Sequence, residues 1–288
     1  MSPARCNVCF RHCEIGEGQY GFCGVRTCRD GIVVPENYGK VTALALEPIE
    51  KKPLRRFHPG AKILSVGSYG CNLRCPFCQN YGISWSRQAM EERNRAEMIS
   101  PEELVRAALG CRDRGNIGLA FTYNEPLTGY EFVRDTARLA HEAGLVNVLV
   151  TNGTAELPAL EEIVPFIDAM NIDLKGFTDR YYRDVLQGDR QMVMAFIQAA
   201  VKHCHVELTT LIVPGENDTE EEMGELSSWV AGLQGGYGGK QGKDIPLHVT
   251  RFFPRFHMQD RAATEVERVY AMADIARQNL RYVYTGNC

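Results

Sequence analysis

The sequence predicts an α/β fold, a partial (βα)6 TIM-like barrel with a small cysteine-rich N-terminal appendage. Three observations predict it. Six short, largely apolar segments recur after residue 60, each flanked by turn residues, as expected for strands buried on both faces of a parallel sheet. Amphipathic segments of helical length lie between them. Cysteines crowd the first 30 residues, where apolar residues are few.

This pattern divides the chain into two predicted parts. A cysteine-rich N-terminal module with short strands takes residues 1–60, and the (βα)6 core takes residues 61–288. Crossovers between parallel strands are right-handed, so the six units wind one way. Because six units do not complete an eight-stranded barrel, we expect an open, curved sheet.

Composition narrows the class of protein. The chain has 288 residues, of which 44% are hydrophobic, and a net charge of −4. This charge gives no global electrostatic case for binding nucleic acid or a membrane surface. We find no signal-peptide-like start and no apolar run long enough to span a bilayer. Eleven cysteines without an export signal favour metal binding in a reducing compartment, so we expect a cytoplasmic protein.

Four cysteines of the N-terminal module have the spacing of metal ligands. Cys6, Cys9, Cys13 and Cys23 form C-x2-C-x3-C-x9-C in a glycine-rich, turn-rich segment. A segment with so few apolar residues needs another source of stability. Four thiolates that bind one zinc ion could supply it. A second iron–sulfur cluster is the competing interpretation, and free thiols in a flexible tail are the third. Spacing alone does not decide among them.

The elements that follow are taken in chain order. Residues 31–46 predict two short strands around a turn, and residues 47–60 predict a polar linker with a basic cluster. The predicted core strands are 62–67, 116–122, 146–151, 169–174, 206–213 and 245–251. The first predicted helix begins at a capping box over residues 100–103, and a second capping box over residues 219–222 precedes a helix over 223–233. The other predicted helices are 128–143, 157–166, two within 180–203, and 263–279.

Three cysteines follow the first predicted core strand. Cys71, Cys75 and Cys78 are spaced C-x3-C-x2-C. Structural zinc and ordinary iron–sulfur clusters usually take four protein ligands. Three close ligands with no obvious fourth therefore suggest a [4Fe–4S] cluster with one iron left open for a small molecule. A zinc site, or three unrelated buried cysteines, is the alternative.

This triplet, with Phe77 before its last cysteine, resembles the signature of the radical S-adenosylmethionine (SAM) enzymes. The resemblance implies the same partial (βα)6 fold and an open iron that chelates the amino and carboxylate groups of SAM. It also implies reductive cleavage of SAM to methionine and a 5′-deoxyadenosyl radical, which abstracts hydrogen from a substrate.

Motifs at the ends of later strands resemble one particular group of radical SAM enzymes. Residues 151–153 (TNG), 173–175 (DLK) and 213–215 (VPG) are similar to the pattern of the pyruvate formate-lyase activating enzymes. In that family the equivalent Asp and Lys contact SAM, and a Gly-Gly-Glu after the second strand receives its ammonium. Residues 123–125 here read Tyr-Asn-Glu, which keeps only the glutamate. The whole chain, with its N-terminal cysteines, is more similar to the radical SAM proteins of the AmmeMemoRadiSam system.

The chemistry of SAM then assigns roles at the mouth where the carboxyl ends of parallel strands meet. The residues are Asn124 and Glu125 for the ammonium, Lys175 for the carboxylate, Asp173 and Asn152 for the ribose, Phe77 for the adenine, and Thr151 in the same set. The activating enzymes also tend to carry a histidine on the sixth strand that helps hold SAM, and His248 is its candidate here.

The leading prediction is a radical SAM enzyme that takes its electron from a reductant such as flavodoxin or ferredoxin. Its substrate is unidentified, with a protein as one candidate, and the oligomeric state is open. An iron–sulfur electron-transfer or sensor protein, which needs the cluster but no SAM pocket, is the second class. A zinc-stabilised binding module is the third, although it leaves the long βα core unexplained. We expect no nucleic-acid and no membrane partner.

Overall fold

A mostly parallel sheet of eight strands forms the centre of the protein. The computed structural model describes residues 2–288, apart from the side chain of Glu92. The strands are β1 (Ala4–Arg5), β2 (Glu14–Ile15), β3 (Arg26–Arg29), β4 (Ile32–Pro35), β5 (Lys40–Val41), β6 (Ala43–Pro48), β7 (Lys62–Gly67), β8 (Glu97–Met98), β9 (Asn116–Phe121), β10 (Val146–Thr151), β11 (Ala169–Asp173), β12 (His205–Ile212), β13 (Leu247–Arg251) and β14 (Val283–Gly286). The α-helices are α1 (Tyr81–Ser84), α2 (Arg87–Glu92), α3 (Pro101–Leu109), α4 (Tyr130–Glu142), α5 (Leu157–Ile163), α6 (Arg190–Ala200), α7 (Glu220–Ala231) and α8 (Val266–Arg277).

The strands of the central sheet follow the order β14-β13-β12-β11-β10-β9-β7-β6. Neighbours from β7 to β14 pair in parallel, as Val148 does with Ala169 between β10 and β11. The six predicted core strands are therefore confirmed, with helices crossing over between them as in a TIM-like barrel. Within residues 2–288 the end strands β14 and β6 do not pair with each other, so the barrel is partial.

Both edges of the sheet extend beyond the predicted strands. β14 adds a parallel strand beside β13, and β6 adds an antiparallel strand along the full length of β7. The boundary predicted near residue 60 thus separates two parts that share one sheet. The two strands expected in residues 31–46 do not pair with each other, because β4 forms a hairpin with β3.

The helices begin where capping residues place them. Ser100 and Glu103 form the predicted capping box at α3, each side chain bonded to the other's backbone N–H. The second predicted box is half right. The Thr219 hydroxyl caps α7, but the Glu222 carboxylate accepts the N–H of Phe177 instead. No helix within residues 2–288 is long and apolar enough to cross a membrane.

Residues 49–60, here called the base segment, close the N-terminal end of the barrel. Ile49 and Leu54 are fully buried and pack on strand residues such as Ile63. Lys52 is 2% exposed, with its ammonium 2.6 Å from the Glu47 carboxylate. The predicted linker or loop into the first core strand is thus a loop, but it is not simply solvated, because the apolar side chains between its charged residues are buried against the strands.

Candidate functional site

The three cysteines after β7 lie on one loop at the C-terminal end of the sheet, residues 70–80, here called the thiol loop. It begins at Gly70, whose φ of +93° favours glycine. Cys75 is buried, and Cys71 and Cys78 are half-buried. Burial raises the pKa of all three thiols, that of Cys75 to about 12.

The sulfur of Cys71 is a hydrogen-bond acceptor. It accepts from the Leu73 N–H at 3.4 Å and from Asn152 Nδ2 at 3.7 Å. Such donors stabilise a thiolate, the form that binds metal. No three His, Cys, Asp or Glu side chains of residues 2–288 are gathered closely enough to hold a metal ion, so ligation requires the thiols to rotate towards one group.

Glu125 is a buried carboxylate beside the thiol loop. It accepts from the Thr151 hydroxyl at 2.7 Å, from the Asn152 N–H at 2.8 Å and from the Leu127 N–H at 3.1 Å. Burial raises the pKa of Glu125 to about 7 despite these donors, and the negative charge of Asp173 adds to the rise. Because all three donors are uncharged, a cation placed beside Glu125 would be stabilised.

The two predicted asparagines hold loops in position. Asn124 Oδ1 accepts from the Ser68 N–H at 3.0 Å, and its Nδ2 donates to Gly70 O at 3.2 Å. Asn152 Nδ2 donates to Asn72 Oδ1 at 3.0 Å. Both side chains tie a strand end to the thiol loop. A direct contact with a ligand stays a prediction for each.

Asp173 and Lys175 form an ion pair at the end of β11, with 2.7 Å between Nζ and Oδ2. Burial would lower the pKa of Lys175, but the charge and hydrogen bond of Asp173, together with the nearby Cys75, raise that pKa. The charge of Lys175 also lowers the pKa of Cys75, which places the ion pair beside the thiol loop. A cation and an anion at this position complement a zwitterionic ligand.

The predicted aromatic residue Phe77 is buried in the core. Its ring packs edge-on against Phe252, with centroids 6.2 Å apart. Phe256, from the same run as Phe252, stacks on Tyr81 at 4.5 Å and packs against Trp85 at 4.7 Å. The C-terminal aromatic run therefore packs around the residues of the thiol loop and the helix that follows it.

His248 contacts a buried carboxylate that the predicted set leaves out. Its Nε2 lies 2.7 Å from Glu207 Oε2. Glu207 also contacts His205 Nε2 at 2.9 Å and accepts the N–H groups of Arg55 and Arg56 from the base segment. The sequence signal for Glu207 is a lone carboxylate in an apolar strand. A role of His248 towards SAM stays a prediction.

The four N-terminal cysteines line one small pocket. Its polar lining also includes Arg11, Arg26 and Asn72. Asn72 follows Cys71 directly, so the pocket lies against the thiol loop. Cys28, although in the same module, does not line the pocket.

Two arginines outside the predicted set join the N-terminal module to the thiol loop. The Phe22 ring lies 3.4 Å from the Arg11 guanidinium and 3.7 Å from that of Arg74. Arg74 donates to Cys71 O at 2.9 Å, and Arg11 donates to Asn72 O at 3.2 Å. Each arginine lies inside a cysteine motif, which is the signal that could have indicated it.

Known proteins resemble this chain in sequence. The model of the Radical SAM superfamily matches residues 65–227. An uncharacterized protein of Methanocaldococcus jannaschii is 38% identical over 289 residues, covering 99% of this chain and 82% of that protein. A pyruvate formate-lyase-activating enzyme of Clostridium pasteurianum is 26% identical over 181 residues, covering 61% of this chain and 72% of that enzyme.

Solved structures resemble it in fold. SuiB of Streptococcus suis bound to S-adenosylmethionine has a TM-score of 0.57 at 12% identity, covering 78% of this chain and 52% of SuiB. SuiB bound to its precursor peptide SuiA gives the same TM-score at 11% identity, covering 77% and 47%. Identities this low show the fold alone, and they confirm the predicted partial barrel.

Proposed function

We propose a function on the premise that this chain belongs to the radical SAM superfamily. Members of the superfamily are enzymes, and their fold implies a [4Fe–4S] cluster and SAM. We assign the cluster to Cys71, Cys75 and Cys78, and SAM to the mouth of the barrel beside them. When bound and reduced, the cluster supplies an electron that splits SAM into methionine and a 5′-deoxyadenosyl radical, which takes a hydrogen atom from the substrate.

The donor set of the thiol loop fits such a cluster. The loop carries three cysteines and no fourth, so one iron is left for a ligand of another kind. Hydrogen-bond donors already reach the sulfur of Cys71. These donors stabilise the thiolate form that ligation requires.

The observation that carries the proposal is the set of charges around this loop. Lys175 provides a cation for the SAM carboxylate, and its partner Asp173 reaches the same loop. Glu125, whose pKa burial raises to about 7, provides a carboxylate that a cationic ammonium would stabilise. A protein that only transfers electrons through a cluster has no need of these three charges.

Other residues keep this set in place. Asn124 and Asn152 fasten the second and third strand ends to the thiol loop. The Thr151 hydroxyl holds the Glu125 carboxylate at 2.7 Å. Phe77, packed against Phe252, provides an apolar wall for the adenine and excludes water from the mouth.

The substrate class we propose is a protein. The similarity to a pyruvate formate-lyase-activating enzyme supports this class, and SuiB, which shares the fold, binds a precursor peptide. The open side between β14 and β6 would admit a large substrate. A flavodoxin or ferredoxin in the cytoplasm would supply the electron, because an open iron needs a reducing compartment.

Anaerobic reconstitution with iron and sulfide, followed by reduction with dithionite in the presence of SAM, tests the proposal. We expect 5′-deoxyadenosine and methionine from the wild type. Cys71→Ala, Cys75→Ala and Cys78→Ala should each abolish both products, because each removes one of three ligands. Cys204→Ala is the control, since its buried thiol bonds Ala200 O and touches no part of the loop.

A brown, fully reconstituted wild type that never cleaves SAM would instead favour the electron-transfer or sensor function. Retention of cleavage in the three thiol-loop variants would refute the assigned ligands.

A further inference from the structure

One thiol that lines the N-terminal pocket accepts a backbone N–H. Cys13 Sγ accepts from the Phe22 N–H at 3.4 Å. Such bonds stabilise thiolates.

Other buried cysteines of the chain do not share this arrangement. Cys28 Sγ donates to Glu17 Oε2 at 3.7 Å, and Cys204 Sγ donates to Ala200 O at 3.8 Å. The sulfurs of Cys13 and Cys71 accept a backbone N–H instead, and they lie in the pocket and in the thiol loop, the two places where the sequence has ligand spacing.

A buried arginine indicates an anionic occupant of the pocket. Arg26 lines it and is 3% exposed. Its Nη atoms donate to Glu131 at 2.6 and 2.8 Å, whereas its Nε is buried without a partner among residues 2–288. Arg26 shares the lining of the pocket with Cys6 and Cys23. An unpaired buried donor is destabilising, and a thiolate acceptor in the pocket would satisfy it.

We propose that Cys6, Cys9, Cys13 and Cys23 turn their thiols towards one centre and hold one Zn²⁺ ion there in a closed four-thiolate site. Four sulfurs are the typical ligand set of structural zinc. The site with its four thiolates is a net anion, which Arg11 in the pocket lining offsets in part. The module also needs such a centre, because one of its small hydrophobic clusters has only Cys6, Ile15 and Cys28 as fully buried members.

The size of the pocket favours a single ion over a second iron–sulfur cluster. The cavity among the lining residues measures ≈ 10 Å³. This is about the room that one water molecule requires. A four-iron cluster with its bridging sulfides is much larger and would displace two lining residues, Phe22, whose ring contacts Arg74, and Asn72, which bonds Asn152.

The zinc site also fixes the position of the thiol loop. Asn72 of the thiol loop lines the zinc pocket, its Nδ2 donates to Thr154 O at 3.1 Å, and its Oδ1 accepts Asn152 Nδ2 at 3.0 Å. Asn72 thus places part of the loop that carries Cys71 against the zinc site. This consequence, unlike the zinc site itself, rests on the proposed function.

The zinc site can be tested without the iron–sulfur cluster. Replacing Cys71, Cys75 and Cys78 together by alanine removes the other set of ligands from the full-length chain. We expect this triple variant to be purified with about one zinc per chain. Adding Cys6→Ala and Cys9→Ala should remove the zinc, whereas adding Cys28→Ala should not. Metal content by mass spectrometry and circular dichroism of each variant are the readouts.

Two further variants distinguish loss of zinc binding from loss of folding. Cys13→His should retain zinc, because imidazole also binds it, and Cys13→Ala should lose it. Cobalt in place of zinc should show sulfur-to-cobalt charge-transfer bands that disappear in Cys13→Ala. Absence of zinc from the folded triple variant, iron in its place, or zinc retained by Cys6→Ala/Cys9→Ala would overturn the proposal. None of these results depends on SAM cleavage.

Discussion

Glu125 at the mouth of the barrel and Glu207 at its base are both buried carboxylates, 2% and 0% exposed, that tie loops to strands. Their pKa values move in opposite directions. Burial raises the pKa of Glu125 to about 7. Burial would also raise that of Glu207, but hydrogen bonds from His205, His248 and the Arg55 amide hold it down to about 2.

This difference in pKa distinguishes Glu207, a structural carboxylate, from Glu125, a carboxylate positioned for a ligand. Glu207 has all the donors that an ionised carboxylate needs, two imidazole nitrogens and two backbone N–H groups. Glu125 has three uncharged donors and lies near the negative charge of Asp173. Groups with pKa values raised in this way are concentrated at functional sites. We therefore expect changes at the base to affect stability and changes at the mouth to affect binding of SAM.

The largest effect on stability is expected from Glu207→Gln. The fall of its pKa from an ordinary 4.5 to about 2 corresponds to about 3 kcal/mol of stability at neutral pH. The melting temperature should drop by roughly 6 °C. Thermal unfolding at equal metal content measures this.

The pH dependence of this effect has a defined sign. A lowered pKa means that Glu207 stabilises the fold fully above its ordinary 4.5, and that this contribution is lost as the pH falls towards 2. The melting temperatures of the wild type and Glu207→Gln should thus approach each other as the pH falls. Equal melting temperatures at neutral pH would show that Glu207 does not anchor the base segment.

The next largest effect is expected from Asp173→Ala and Lys175→Ala. Each removes a charge-assisted contact to SAM worth about 2 kcal/mol, so the Kd for SAM should rise roughly 30-fold. Iron content should not change, because both residues lie on a different strand from the cysteines. Asp184→Ala breaks an exposed ion pair with Arg183 and should leave the affinity as it is. Wild-type affinity in both mouth variants would refute the assigned roles.

A smaller effect is expected from Glu125→Gln. Because the pKa of Glu125 is raised, its ionisation costs stability as the pH rises through about 7. A bound ammonium relieves that cost, so wild-type affinity for SAM should increase across this pH range. In Glu125→Gln the increase should disappear and the Kd should be about tenfold higher above pH 7. Calorimetric titration at several pH values measures both. An unchanged pH profile in the variant would mean that Glu125 does not face the ammonium.

Much of the fold is predictable from local patterns. The six core strands are continuous apolar runs between turn residues, and such runs need no knowledge of distant contacts. β14 escapes prediction because it is short and follows a helix without a strong turn signal. The base segment escapes because Lys52 and its charged neighbours give it the composition of a loop, while Ile49 and Leu54 are spaced too irregularly to show a pattern.

The candidate site, like the fold, is predictable only where local sequence patterns specify it. The cysteine spacing and the strand-end motifs indicate which residues gather at the mouth. They do not indicate pairings across the chain, such as Asn72 with Asn152, or Glu222 with Phe177, because these depend on how the loops pack. Glu207 belongs to this second kind, since its partners come from three separate segments.

The most direct test of the comparison measures 5′-deoxyadenosine formed under reducing conditions by three reconstituted proteins side by side. We expect product from the wild type and from Glu207→Gln, which is altered only at the base, and none above background from Cys75→Ala, which is altered at the mouth. Product from Cys75→Ala, or its absence from a wild type with full iron content, would contradict the assignment of the mouth as a radical SAM site.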